Sequence, residues 1–166
     1  VTPPYRVGDE LPPLEIPVTR TLIVAGAIAS RDYQDVHHDA ASAREKGSPD
    51  IFMNILTTNG LVGRYITDHF GPTAVLRKVA IRLGAPNYPG DVLRLTGRIT
   101  ELRTADTSSA DASPGDASSD EVVDAVDAVE AIEAVVQVTG GNGIGRHVTG
   151  TVAVTLPEPS VKRAGA

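Results

Sequence analysis

Hydrophobic and polar positions divide the chain into an extended entry, a helical middle and a β-rich second half. The entry "VTPPYRVGDELPPLEIPVTR" is broken by five prolines. It should lie extended, with a strand near Ile16–Arg20. "TLIVAGAIAS" then suits a short buried helix capped by Thr21; a strand is the competing reading, because so short an apolar run does not reveal its period. In "DAASAREKG", Asp39 can cap a second short helix and Gly47 can end it after Lys46.

The most legible element is "SPDIFMNILTTNGLVGRYITDHFGP". Ser48 is the predicted cap, Pro49 the first helical residue, and Asp50 lies at the positive end of the helix dipole. Phe52, Ile55, Leu56, Asn59, Val62 and Ile66 follow helical spacing, while Ile51, Met53 and Leu61 make the other face apolar. The pattern predicts a long helix buried nearly all round. Gly60 and Gly63 each cost about 1 kcal/mol inside a helix, and close approach of another backbone would be the return. Gly71-Pro72 stops the helix, and Asp68-His69 reads as its solvated end.

Two pairs of alternating runs follow. "AVLRKVAIRLGAPNYPGDVLRLTGRITELR" predicts a hairpin around "NYPGD", and "EAIEAVVQVTGGNGIGRHVTGTVAVTLP" a second around Asn142-Gly143. "GGNGIG" lacks the spacing of a dinucleotide loop and opens no helix, so it reads as a plain turn. Between the hairpins, Thr104–Ala131 holds eight carboxylates and no Lys or Arg. Its small side chains predict a flexible insert, with a helix, or a strand from about Ala131, as alternatives. Residues 158–166 should fray. The expectation is one α+β domain over 1–166: a long central helix clasped by a curved antiparallel sheet, whose open edges suit a second subunit.

Composition narrows the chemistry. The chain has 166 residues, a net charge of −6, 4% aromatics and no cysteine or tryptophan. Disulfides, thiolate nucleophiles and cysteine-based zinc sites are excluded. The charge and the scarcity of aromatics argue against nucleic acid and anionic membranes as partners. No apolar run approaches the roughly 18 residues of a membrane span, and no leader is visible, so a cytoplasmic location is expected. Without the acidic insert the chain is close to neutral. It carries Arg64, Arg77, Lys78, Arg82, Arg94 and Arg98, enough to meet an anionic small molecule.

The candidate chemistry sits in "SRDYQDVHHDAASA", Ser30–Ala43, which holds two of the four histidines. Adjacent His37 and His38 point apart on a strand and no second cluster completes a ligand set, so no metal is expected. No Gly-x-Ser-x-Gly is present to supply a nucleophile. Asp32 and His37, five residues apart across a turn, can converge on one pocket and share a water, with the carboxylate tuning the imidazole. On chemistry alone, a polar turn with a surface histidine pair is the stronger reading.

The same residues resemble the motif S/T-G-D-x-N-P-hydrophobic-H-x5-A/S of the MaoC-like (R)-specific enoyl-CoA hydratases, with Ser30, Asp32, Val36, His37 and Ala43 in register. The likeness runs through the long helix and both hairpins. In its wording the stretch is most similar to the small MaoC-type subunits of actinobacterial heteromeric hydratases acting on steroid side-chain enoyl-CoA thioesters. Arg31 replaces the motif's Gly, Gln34 its Asn and Asp35 its Pro. Asn54 stands where many relatives have Gly at the start of the long helix.

The resemblance implies a hot-dog fold and hydration of a trans-2-enoyl-CoA. It implies Asp32 and His37 as the catalytic pair and a backbone N–H at Asn54 as oxyanion donor. No metal or redox cofactor is implied, CoA being part of the substrate. Arg77, Lys78 and Arg82 are candidates for the CoA phosphates, against a solvated strand face. A second MaoC-like subunit is implied as partner, in a heterodimer or α2β2 assembly that can dock a thiolase-like aldolase. The alternatives are a homodimeric hydratase of linear enoyl-CoA and a non-catalytic hot-dog scaffold.

Overall fold

The computed structural model describes residues 5–105 and 131–156. The expected flexible insert, apart from its ends, and the frayed tail lie outside the described residues. Thr104, Ala105 and Ala131, counted with the insert above, are the ends of strands.

Strand β1 (Glu10–Pro17) leads into helix α1 (Arg20–Ala29), a single 3-10 turn (Asp35–His37) and helix α2 (Ala40–Glu45). Helix α3 (Ile55–Phe70) follows, then β2 (Val75–Leu83), β3 (Val92–Ala105), β4 (Ala131–Asn142) and β5 (Gly145–Leu156). The five strands form one antiparallel sheet in the order β1-β3-β4-β5-β2. The α+β architecture is the one expected. Among the described residues no helix is long and apolar enough to cross a membrane.

Alternation decides which face of the sheet is buried. Leu93, Leu95 and Ile99 of β3, Val136 and Val138 of β4, and Val152 and Val154 of β5 are fully buried. Val92, Arg94 and Thr96 point the other way, to solvent or partial cover. Val62, Tyr65, Ile66 and Phe70 of α3 join the same core. Each large apolar side chain so buried contributes about 1.5–3 kcal/mol.

Several local expectations change. The first strand is β1, earlier than Ile16–Arg20, and its Pro12-Pro13 pair sits at a register shift on an edge strand, where a missing N–H is tolerated. The cap of α1 is Thr19 rather than Thr21; its hydroxyl accepts from Leu22 N–H at 3.0 Å. The cap of α2 is Asp39 as read, accepting from Ala41 and Ser42 N–H, and Gly47 follows its end at φ 88°.

Helix α3 starts at Ile55, capped by Asn54, and not at Ser48-Pro49-Asp50. Tertiary pairing overrides the local signal. Arg20 clamps the Asp50 carboxylate at 2.7 and 3.0 Å, Phe52 N–H bonds to Val36 O, and Met53 N–H bonds to Asn87 O. Ile51 and Met53 are buried from an extended segment, so the helical period they suggested is a period of two. Nor is α3 buried all round: Ile55 and Leu56 are about half exposed. Gly60 faces open space, and a Cβ on Gly63 would meet only the Leu76 side chain, at 3.2 Å.

"NYPGD" does form a turn, with Asp91 N–H on Tyr88 O and Gly90 at φ 98°. It does not form a hairpin. β2 pairs with β5 and β3 pairs with β1 and β4, so the 84–91 segment crosses between distant strands. The β4–β5 hairpin is as expected: Asn142 Oδ1 accepts from Ile144 and Gly145 N–H and closes the turn.

Candidate active site

Helix α1 ends in a tight cap that sets the position of Asp32. Arg31 N–H bonds to Ile28 O at 3.0 Å and Asp32 N–H to Ala27 O at 2.9 Å, the paired bonds of a Schellman cap. That cap requires a left-handed residue after Ser30, and Arg31 supplies it at φ 57°, the single positive φ outside glycine among the described residues. The geometry accounts for the glycine of the related motif at this place.

The 3-10 turn then delivers His37, which is 5% exposed. Asp35, where the related motif has Pro, fastens this turn to α2 through Ser42 and Lys46. The Lys46 hydrogen bond, with help from Ser42, holds the Asp35 carboxyl down at about 2. His38 turns outward, its Nε2 near Tyr33 O at 3.3 Å.

His37 Nε2 and Asp32 Oδ2 lie 3.4 Å apart. His37 Nδ1 sits 2.7 Å from Phe52 O. A carbonyl only accepts, so Nδ1 carries the hydrogen, and in the neutral ring Nε2 is left with its lone pair facing Asp32. With the ring neutral, two acceptors thus face each other at the cleft wall, an arrangement that a shared donor such as water completes. The Phe52 ring meets the His37 ring edge-on at 5.0 Å and fixes its plane.

The cleft has a volume of about 320 Å³ and is bounded by Asp32, His37, Asn54 and Ile55 on one side and Leu83, Pro86 and His147 on the other. Asn54 and Ile55 stand at the N-terminus of α3, and their N–H groups meet no acceptor among the described residues. Thr57 N–H, by contrast, is capped by Asn54 Oδ1 at 2.9 Å. Two free donors thus border the space beside the acid–base pair, at the positive end of a 16-residue helix.

His147 was not singled out by the sequence; one histidine in an alternating strand carries no local signal. It is 1% exposed. Its Nδ1 bonds to Ala85 O at 2.7 Å and its Nε2 to Thr58 Oγ1 at 2.9 Å. Both nitrogens are engaged, so His147 acts as a brace between the 84–91 segment and α3. Burial pushes its imidazole below the usual histidine range. Asn142 braces the same segment from behind, donating to Pro86 O and Asn87 Oδ1.

Arg77, Lys78 and Arg82 are exposed on β2 and none lines the cleft; Arg77 donates to Thr155 Oγ1. A larger concavity of about 660 Å³ lies on the outer face of the sheet around Arg94, Thr139 and Arg146, but it holds no acid–base pair. Among the described residues no group of three or more His, Asp or Glu could hold a metal ion.

No protein-family profile matches the chain. It is 39% identical over 150 residues to the beta subunit of 3-oxo-4,17-pregnadiene-20-carboxyl-CoA hydratase of Mycobacterium tuberculosis, across 90% of this chain and 95% of the relative. The ChsH1–ChsH2 complex of Mycobacterium tuberculosis contains a chain that superposes with a TM-score of 0.70 at 38% identity, covering 91% of this chain and 98% of that one. An (R)-hydratase of A. caviae involved in PHA biosynthesis also gives a TM-score of 0.70, at 18% identity over 93% and 98% of the two chains, a likeness of fold alone.

Proposed function

The chain belongs to the MaoC-like hydratase family and has its hot-dog fold, and from that premise we propose that it hydrates a trans-2-enoyl-CoA as the catalytic small subunit of a heteromeric enzyme. The observation that carries this reading is the pair of acceptors, Asp32 Oδ2 and His37 Nε2, 3.4 Å apart beside unpaired helix N–H groups. A scaffold has no use for that arrangement.

In the proposed reaction one water is held by Asp32 and His37 over the β-carbon. Its oxygen bonds to that carbon as one of its protons passes to the pair. The π electrons of the double bond move to the thioester oxygen, giving an enolate. The N–H groups of Asn54 and Ile55 receive this charge; removing one such donor typically costs about 3–4 kcal/mol. Return of a proton to the α-carbon collapses the enolate to the 3-hydroxyacyl thioester, with one water added overall. The step draws on no redox cofactor.

The substrate we propose is a steroid side-chain enoyl-CoA, by likeness to the relative whose name gives a pregnadiene-carboxyl-CoA. The size of the cleft supports a partner. About 320 Å³ is at the low end of ligand pockets, enough for the reacting end of the thioester but not for four fused rings with it. A second MaoC-like subunit would supply the missing room, and a thiolase-like aldolase could dock on the assembly to take the product onward.

The test is to co-produce the chain with such a subunit and offer it a steroid enoyl-CoA and crotonyl-CoA. The expected result is a product heavier by one water, formed faster from the steroid thioester. Preference for crotonyl-CoA without any partner would assign a homodimeric hydratase of linear chains. Release of free CoA thiol would assign a thioesterase, and no turnover of either substrate would overturn the enzyme reading.

A further inference from the structure

The Asn54 side chain joins the start of α3 to the Ser30–Asp32 turn, 22 to 24 residues earlier in the chain. It is 2% exposed. Its Nδ2 donates to Asp32 Oδ2 at 3.0 Å and to Ser30 Oγ at 2.9 Å, while its Oδ1 accepts from Thr57 N–H at 2.9 Å. Partner chemistry fixes the orientation of the amide: a carboxylate only accepts, and a backbone N–H only donates. Ser30 spends its own hydroxyl hydrogen on Gly26 O at 2.7 Å, so it too accepts from Asn54. Both amide hydrogens are therefore committed within the protein, and neither is left to donate to a substrate.

Three consequences meet at this one residue. Asp32 Oδ2, the atom that faces His37, is held by the Asn54 amide. The C-terminus of α1 is fixed through Ser30. The N-terminus of α3, where the unpaired N–H groups lie, is fixed through the cap. Resting on the hydration reading, we infer that Asn54 is a positioning residue: its side chain aims the Asp32 carboxylate at the shared water and locks it in register with the oxyanion donors. This role is distinct from its backbone N–H, and a glycine at this position could not perform it. The other groups facing Asp32 are His37 Nε2 and Gln34 N–H, the latter at a long 3.4 Å; His147 is the one other titratable group of the cleft lining.

The test uses the complete heteromeric assembly with its enoyl-CoA substrate and the variants Asn54→Ser, Asn54→Asp and Asp32→Asn. Ser and Asp are both good helix caps, so the start of α3 is preserved while the donor to Asp32 is lost. The expected result for Asn54→Ser is a fall in kcat of at least about tenfold, with KM changed less than about twofold, since a misplaced group costs rate before it costs binding. Asn54→Asp should fall further, because a second carboxylate then faces Asp32. In an Asp32→Asn background, Asn54→Ser should add little, the two changes acting through one contact.

A kcat for Asn54→Ser within twofold of wild type would overturn the inference. So would a loss that multiplies fully with Asp32→Asn, or one seen only in variants whose melting temperature has collapsed, since either assigns a structural role. Near-normal turnover by Asp32→Asn alone would instead overturn the hydration site itself, so the two failures are distinguishable.

Discussion

At the residue scale, Arg31 carries strain that the position of Asp32 requires. A left-handed conformation costs a non-glycine residue about 1–2 kcal/mol, yet without it the Schellman cap of α1 could not direct Asp32 into the cleft. Arg31→Gly should therefore raise stability by about 1 kcal/mol with the fold unchanged, measured by urea unfolding. A destabilised variant would contradict the reading of that cap. Burial lowers the imidazoles of His147 and His69 below their ordinary 6.5. The unfolded chain then binds more protons than the folded one just below pH 6.5, so stability is fully present above that pH and is lost as the pH falls through it. Replacing His147 by Gln should flatten the slope of stability between about pH 5 and 7; an unchanged slope would show that the titration lies elsewhere. Local spacing brought Asp32 and His37 within reach of one pocket, but the family motif, and not the spacing, favoured them over a polar surface turn. Asn54 as a clamp was not legible in the sequence, because its partners Asp32 and Ser30 lie 22 and 24 residues away.

At the element scale, the site depends on how closely α1 approaches α3. A Cβ on Gly26 would stand 2.2 Å from Thr57 Oγ1, so the two helices meet at that glycine with no room to spare. Gly26→Ala should cost about 1–3 kcal/mol by overpacking and lower turnover by displacing the Asn54 cap. Adding Thr57→Ala should recover part of the stability; full additivity of the two losses would argue against the contact. The elements themselves were largely readable: α2, the end of α3 at Gly71 and the β4–β5 hairpin all announce themselves through local capping or turn chemistry. The start of α3 and the partner of β2 were not. Ser48-Pro49-Asp50 has good helix-start chemistry, but Arg20, Val36 and Asn87 hold the following segment extended. Likewise the turn before β3 is real, while the choice of strand neighbours belongs to the whole sheet.

At the scale of the whole molecule, among the described residues the sheet ends in two unpaired edges, β1 and β2, and apolar side chains are exposed on β2 and on α3. Val75 and Leu76 of β2, with Ile55 and Leu56 of α3, are 36–49% exposed. Burying them against a second hot-dog subunit would cover the β2 edge together with Ile55 of the cleft lining. Leu76→Lys should then weaken assembly and lower turnover of a steroid enoyl-CoA while leaving Asp32 and His37 in place; gel filtration of the mixed subunits reads it directly, and undisturbed assembly would move the interface elsewhere. The most direct measurement of the central claim is the steady-state hydration rate of the assembled enzyme carrying Asp32→Asn or His37→Gln. Each variant should lose at least about a hundredfold in kcat, with a melting temperature close to that of the unaltered protein. Turnover near the unaltered rate in either variant would contradict that claim.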